Sequence, residues 1–372
     1  MVTWLIQWNY RLQNRIITIL QQIFFRPYDK NSVKKILVWR GGSLGDNVCA
    51  LPAMNAISEN FSLASIDLLT NSRGAHLVSL QQLIAPGIIG NVFNLFPLSF
   101  QQKFLLFQFL RAHEYDLFIE IPENLATLRV EIRNIAIAKL LGIPSGFGWE
   151  VASSRLFKKY QAKVIPFENE TQRLLNILER NQLWVTEKKY PLGWSDTDRD
   201  CIKKKLKEKS LLDKNKNIGF VVGAKRKANR WPIQYFEEVI RYLIAQGFNI
   251  FLIGGKEDFS LAATLVFDKK VHNFCGSLTP LQSGILFQYC RLTISNDTGP
   301  MHLSYAAGTP VVAVFSARDY AQKWFPPKEL GTVFRKDTVC SPCFLNDCPY
   351  DNLCLREIQP TQILKELHAR GL

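Results

Sequence analysis

The sequence predicts two doubly wound α/β domains, each built on a parallel sheet. Short apolar runs alternate with helix-length segments from Val33 onward, and the alternation starts afresh after a Lys-rich stretch at 203–216. A length of 372 residues also suits two domains better than one core.

Residues 1–32 stand apart as an amphipathic N-terminal helix. Trp4, Leu5, Trp8, Leu12, Ile16, Ile19, Leu20 and Ile23 recur at three- and four-residue steps, with Arg11, Asn14 and Gln22 on other faces. Arg11 and Arg15 fall in the wrong place for an export signal. With no acid before Asp29, residues 1–26 suit a helix lying on an anionic membrane surface, and equally one packed on the protein's own body. No apolar run approaches the roughly 18 residues of a spanning helix. The chain is therefore read as cytoplasmic, with a peripheral place on the inner face of the cytoplasmic membrane open to it.

The first α/β domain is expected over 33–200. Ile36–Trp39 reads as a buried strand, followed by a Gly-rich turn and a helix from about Asn47. Ser65–Leu69 and Tyr115–Ile119 read as further strands. A Lys-rich linker is expected at 201–216. The second domain, 217–356, takes strands at Ile218–Val222, Asn249–Ile253, Leu292–Ile294 and Pro310–Phe315. Its helices are expected at Pro232–Gln246, after Gly254-Gly255, at Pro280–Tyr289 and at Pro300–Ala307, with a C-terminal helix at 357–372. Two such domains imply a cleft at the carboxyl ends of both sheets.

Composition narrows the function. With 47% hydrophobic residues the chain is no disordered polymer, and 8 Cys in 372 residues make no disulfide scaffold. The 46 Lys and Arg against 32 Asp and Glu leave a net charge of +14, suited to nucleic acid, an anionic membrane or a phosphorylated small molecule. Nucleic acid is the least favoured, since no helix-turn-helix or ribonucleoprotein signature is present.

Four motifs offer chemistry. Gly41-Gly42-Ser43-Leu44-Gly45-Asp46 joins a strand to a helix, where glycines admit a ligand to bare amides and Asp46 is a candidate N-cap. Lys225, Arg226, Lys227 and Arg230 form a cationic loop before Pro232, able to hold a diphosphate. Asp297, Thr298 and Gly299 lead into a helix that Pro300 begins, with His302 one turn in; structure explains the cap, and an anion would suit the remainder. Cys340, Cys343, Cys348 and Cys354 leave structural zinc, a redox pair and plain thiols open.

In this order the motifs resemble those of the heptosyltransferases, family nine of the glycosyltransferases. The stretch Ile36–Pro52 is similar to that family's amino-terminal signature, and 295–315 to its donor-site signature. The resemblance implies the GT-B architecture, two Rossmann-like domains with an interdomain cleft. It further implies an inverting transfer of a heptose, or a related sugar, from an ADP-sugar to a lipopolysaccharide core or other lipid-linked glycan acceptor, with no required cofactor. Asp46 matches the family's general base, on an acceptor-side loop with Gly42, Ser43 and Gly45. Lys225, Arg226, Arg230, Thr298 and Gly299 would hold the leaving diphosphate; Asp297 and His302 match the donor loop. Asp258, with Glu257 second, lies near the acidic position that holds the ribose.

Two departures stand out. Asn229 occupies the place of a common Lys, and Ile121-Pro122-Glu123-Asn124 lacks the usual Gln-Gly after Glu120. A different nucleotide-sugar donor and a non-catalytic nucleotide-sugar binder are the alternatives within the fold.

Overall fold

A computed structural model of the chain describes residues 2–71, 78–159 and 167–372. It divides into two compact units, Met1–Gly193 and Trp194–Leu372. No described helix is long and apolar enough to cross a membrane.

The first unit opens on α1 (Val2–Phe24), β1 (Lys35–Trp39), α2 (Leu44–Asn60) and β2 (Ser65–Thr70). It continues through β3 (Val92–Asn94), α3 (Phe100–Ala112), β4 (Leu117–Glu120), α4 (Leu128–Leu140), β5 (Ser145–Phe147), α5 (Ser153–Lys159) and α6 (Glu170–Arg180). All pairings in its five-stranded sheet are parallel, in the order β3-β2-β1-β4-β5. The central strands read as unbroken apolar runs because both faces are covered. On one face Ile17 of α1, Leu110 of α3 and Ile135 and Ala138 of α4 share a core with Leu37, Leu69 and Phe118; α2 packs on α6.

The N-terminal helix resolves its two readings unevenly. Ile6 and Ile17 are buried, Asn14 Oδ1 accepts the Val151 N–H at 2.9 Å, and α1 packs on α4 and α5. The side that docks is nevertheless not the predicted stripe. Trp4, Trp8, Leu12, Ile19 and Ile23 are exposed, since the polar residues Tyr10 and Asn14 flank the buried side.

The second unit begins with α7 (Asp196–Glu208). Much of the Lys-rich stretch expected as a linker thus belongs to this helix: Ser195 Oγ caps it by accepting the Asp198 N–H, and Ile202 and Leu206 are buried where it packs on a helix of its own unit. Its lysines form the solvated face. Then come β6 (Asn217–Val221), α8 (Ile233–Ala245), β7 (Asn249–Leu252), α9 (Phe259–Ala263), β8 (Val271–Asn273) and α10 (Pro280–Gln288), the partner of α7. The unit ends with β9 (Leu292–Asn296), α11 (Gly299–Ala306), β10 (Val311–Phe315), β11 (Gly331–Arg335), α12 (Leu353–Arg356) and α13 (Pro360–Ala369). Its sheet is wholly parallel, in the order β11-β10-β9-β6-β7-β8. Strand β9 runs two residues past the predicted apolar run. Asn296 extends it because its side chain donates to the Val222 carbonyl at 2.7 Å and accepts the Trp231 N–H at 2.9 Å. Buried Phe236, Val239, Ile240 and Leu243 give α8 its apolar side, each stabilising by about 1.5–3 kcal/mol. Ile363 and Leu367 of α13 join the same core.

Two of the buried acids of the first unit lie close together. Glu120, at the end of β4, accepts from Asn134 Nδ2 at 2.8 Å, while its other oxygen and both oxygens of Glu131 are buried without a hydrogen bond of normal geometry. Burial pushes Glu131 up to about 8, and burial with the Glu131 charge raises Glu120. An acid that binds its proton more tightly when folded stabilises most below its unfolded value, and this is lost as pH rises through the folded value. Glu131→Gln should therefore match the parent near pH 4.5 and exceed it increasingly up to about pH 8, by roughly 1.4 kcal/mol per pH unit at most. Chemical denaturation across this range measures it.

Candidate functional site

In the first unit the strand order reverses between β1 and β4, so the loops after these two strands diverge. Asp46 and Asn124 meet there. Gly42 has φ +131°, a backbone that favours glycine, and a Cβ on it would come within 2.8 Å of Asp46 Cβ. Ser43 is the N-cap of α2, which makes Asp46 the third helical residue and not the cap. The side chain folds back, and Oδ2 accepts the Ser43 N–H at 3.0 Å and the Ser43 hydroxyl at 2.5 Å. Asn124 Nδ2 donates to Oδ1 at 2.7 Å. Burial alone would raise this carboxyl, but the Arg40 guanidinium and the hydrogen bonds from Ser43 and Asn124 hold it below its ordinary value. Gly45 is buried in the first turn of α2.

Arg40 and Asn124 escape a reading of the sequence. Arg40 is buried and donates to the carbonyls of Pro122 at 3.1 Å and Asp46 at 2.5 Å, tying the end of β4 to the start of α2. Asn124 lies in the segment singled out only for departing from a pattern, and Ser154 Oγ holds its carbonyl at 2.5 Å. Each makes a bond between the loop after β1 and the loop after β4, so no local spacing marks them.

The second unit repeats the arrangement where its strand order reverses between β6 and β9. The loop after β6 carries Lys225, Arg226, Asn229 and Arg230; that after β9 carries Asp297 and Thr298. Asn229 is buried and donates to the Asp297 carbonyl at 3.1 Å and to its Oδ2 at 3.2 Å, while accepting from Ser316 Oγ at 2.7 Å. Burial, reinforced by the Asp319 charge and opposed by Arg318, Arg226 and Arg335, pushes Asp297 up to about 7. Lys225 and Arg226 are exposed, and Arg230 Nε donates to the Ala224 carbonyl at 2.9 Å.

Asp258 closes the loop from the β7 side. It is buried while Glu257 is exposed, and Oδ2 accepts the Gly255 N–H at 3.0 Å. Any side chain at Gly223 would strike its carboxyl, with a Cβ 1.9 Å from Oδ1. Burial raises its pKa and the charge of Arg230 opposes this.

Thr298 is the N-cap of α11 with Gly299 as the first helical residue, so the helix starts where the sequence suggests. His302 lies beneath the loop rather than on it: it is buried, with Nδ1 2.9 Å from the Tyr305 hydroxyl and its ring edge-on to Trp324. Arg318, Asp319 and Lys323, on the loop after β10, went unread because nothing nearby in sequence marks them. Arg318 Nε donates to the Leu345 carbonyl at 2.6 Å, and Asp319 accepts from Trp324 Nε1 at 3.3 Å.

The cysteine segment is a buttress for the basic loop after β6. The Ala228 N–H donates to the Asn346 carbonyl at 2.9 Å, Asn352 Nδ2 donates to the carbonyls of Lys227 at 2.9 Å and Arg230 at 3.0 Å, and the Ala317 N–H reaches Cys354 Sγ at 3.4 Å. Among the described residues no three His, Cys, Asp or Glu side chains converge as metal ligands, so the zinc reading of Cys340, Cys343, Cys348 and Cys354 gains no support from geometry.

Comparison with known proteins assigns a family and a fold. The model of glycosyltransferase family 9 (heptosyltransferase) matches residues 104–354. Lipooligosaccharide heptosyltransferase 2 of Campylobacter jejuni is 28% identical over 164 residues, 42% of this chain and 51% of that protein, so the chain spans about half the length of this curated relative. The crystal structure of a family 9 glycosyl transferase from Veillonella parvula superposes with a TM-score of 0.74 at 19% identity, covering 93% of this chain and 98% of that one. Escherichia coli ADP-heptose lps heptosyltransferase II gives 0.63 at 20% identity, with 90% and 98% covered. These likenesses assign the GT-B fold.

Asn352→Ala removes both hydrogen bonds to the basic loop. We expect a loss of about 1–3 kcal/mol, read as a lower thermal midpoint, with faster amide exchange concentrated at 224–230.

Proposed function

The chain belongs to glycosyltransferase family 9, and we propose that it is an inverting glycosyltransferase moving a heptose, or a related sugar, from an ADP-sugar to a lipopolysaccharide core or other glycan acceptor. The observation that carries this is the ionised, doubly tethered carboxylate of Asp46 at the reversal point of the first sheet. Its base chemistry is the one that acceptor activation requires. The Escherichia coli relative named for ADP-heptose and lps supports the choice of donor and acceptor.

The acceptor hydroxyl oxygen attacks the anomeric carbon from the face opposite the diphosphate. The bond from that carbon to the phosphate oxygen breaks, its electron pair leaves with ADP, and the hydroxyl proton passes to Asp46. Developing positive charge on the sugar and negative charge on the leaving group both need stabilising. Lys225, Arg226 and Arg230, with the Thr298 and Gly299 amides at the start of α11, hold the diphosphate. Arg318 adds charge beside them, taking over from the Lys that Asn229 replaces. Asp258 accepts from the ribose, and Asp297, positioned by Asn229, orders the loop. His302 acts through Tyr305 and Trp324 as a support. The arginines meet the leaving-group charge, so this reading calls on no required cofactor.

In this reading the nucleotide-sugar donor suits a cytoplasmic enzyme and the lipid-linked acceptor one peripheral to the inner face of the cytoplasmic membrane. Nucleic acid is not a partner in this reading.

Asp46→Asn should leave ADP binding intact and lower transfer by at least about 100-fold; near-parental turnover overturns the assignment. Asn124→Ala removes a hydrogen bond to the ionised carboxylate. The acid limb of kcat/KM should then move to higher pH, while donor KM stays constant. For the donor, a thermal-shift comparison of ADP-, UDP- and GDP-sugars should favour the ADP-sugar, with about 2.7 kcal/mol of stabilisation at a hundredfold excess over Kd. A UDP or GDP preference replaces the named donor and keeps the fold.

A further inference from the structure

The layer formed by α1, α3 and α4 has an unusual outer surface. Ile17 and Leu20 of α1, Leu106 and Leu110 of α3, and Ile135 of α4 join one core, so the three helices cover the same side of the first sheet and turn their remaining sides to solvent. What they display is apolar. Trp4 (65%), Trp8 (54%), Leu12 and Ile19 are exposed on α1, and Phe100 (86%) and Leu105 (62%) on α3. Single exposed hydrophobics are ordinary; bulky aromatics repeated on helices that share one core mark an interaction surface.

The charges among them are of one sign. Arg11 and Arg15 on α1, Lys103 and Arg111 on α3, and Arg129 and Lys139 on α4 are all exposed. The one acid in the three helices, Glu131, is fully buried. In the second unit, by contrast, α7 mixes Asp196, Asp198 and Asp200 with its lysines. On this apolar face the exposed charges of the three helices are thus all positive.

We infer that the outer face of α1, α3 and α4 docks on an anionic lipid bilayer, with the Trp and Phe rings in the interfacial layer and the arginines and lysines on lipid phosphates. A second copy of the chain is a poor occupant, since a self-complementary contact would set basic residues against basic residues. The inference rests on the lipid-linked acceptor proposed above only for its purpose; the surface is argued from exposure and charge.

Co-sedimentation of the full chain with vesicles tests it. Binding to mixed phosphatidylglycerol and phosphatidylcholine vesicles should exceed binding to phosphatidylcholine alone by at least about tenfold and weaken as salt rises. The R11E/R15E and W4S/W8S variants should each lose about tenfold or more of that binding. All substituted side chains are solvent-facing, so thermal midpoints and ADP-sugar stabilisation should stay at parental values. Equal binding to both vesicle types, binding to neither, or a dimer in solution that W4S/W8S dissociates overturns the inference. Vesicle binding without any response to nucleotide sugars would retain this surface and remove the proposed transfer reaction.

Discussion

Both units depend on one topological constraint, a parallel sheet whose strand order reverses at its middle. At β1/β4 and again at β6/β9 the connecting helices go to opposite faces, and the two loops leaving the carboxyl ends diverge. Each gap receives an aspartate from one loop and an asparagine amide from the other: Asp46 with Asn124, and Asp297 with Asn229. The amide matters because a buried carboxylate without donors is costly, and a neutral donor satisfies it without adding charge.

The same pairing yields opposite electrostatics, and the surroundings decide which. Asp46 has Arg40 and two donors from Ser43 on its side, which outweigh burial and keep it ionised. Asp297 is left to burial and to the repulsion of Asp319, with three arginines offsetting only part, so it titrates near neutrality. An aspartate held in its charged form and one that titrates near neutrality show how the surroundings set two states of one residue type. Arg40 has a second effect. By donating to the Pro122 and Asp46 carbonyls it ties the start of α2 to the segment after β4 that carries Asn124, the donor to Asp46.

The net charge of +14 divides by location. The lysines of α7 lie on a solvated helix, the 225–230 bases and Arg318 crown the second sheet, and the bases of α1, α3 and α4 sit among exposed aromatics. The cysteine segment serves through its backbone and Asn352, which brace the basic loop, more visibly than through its thiols.

Local pattern alone determined the class of fold, the central strands and the loops that carry Asp46, the 225–230 bases and Asp297, since apolar runs and Gly or Pro punctuation are properties of neighbouring residues. The edge strands were missed: β3, β5 and β8 have three residues each, too brief to carry a period, while β11 is five residues long but only half-buried and without an unbroken apolar run. The stripe on α1 was visible, but its direction was not: which side of an amphipathic helix meets the protein depends on what α4 and α5 offer it. Arg40, Asn124, Arg318 and Asn352 became legible only in three dimensions. Each bonds to a residue on another strand or loop, as Asn124 does to Asp46 and Arg318 to Leu345, and strand order, which no single segment encodes, decides who those neighbours are.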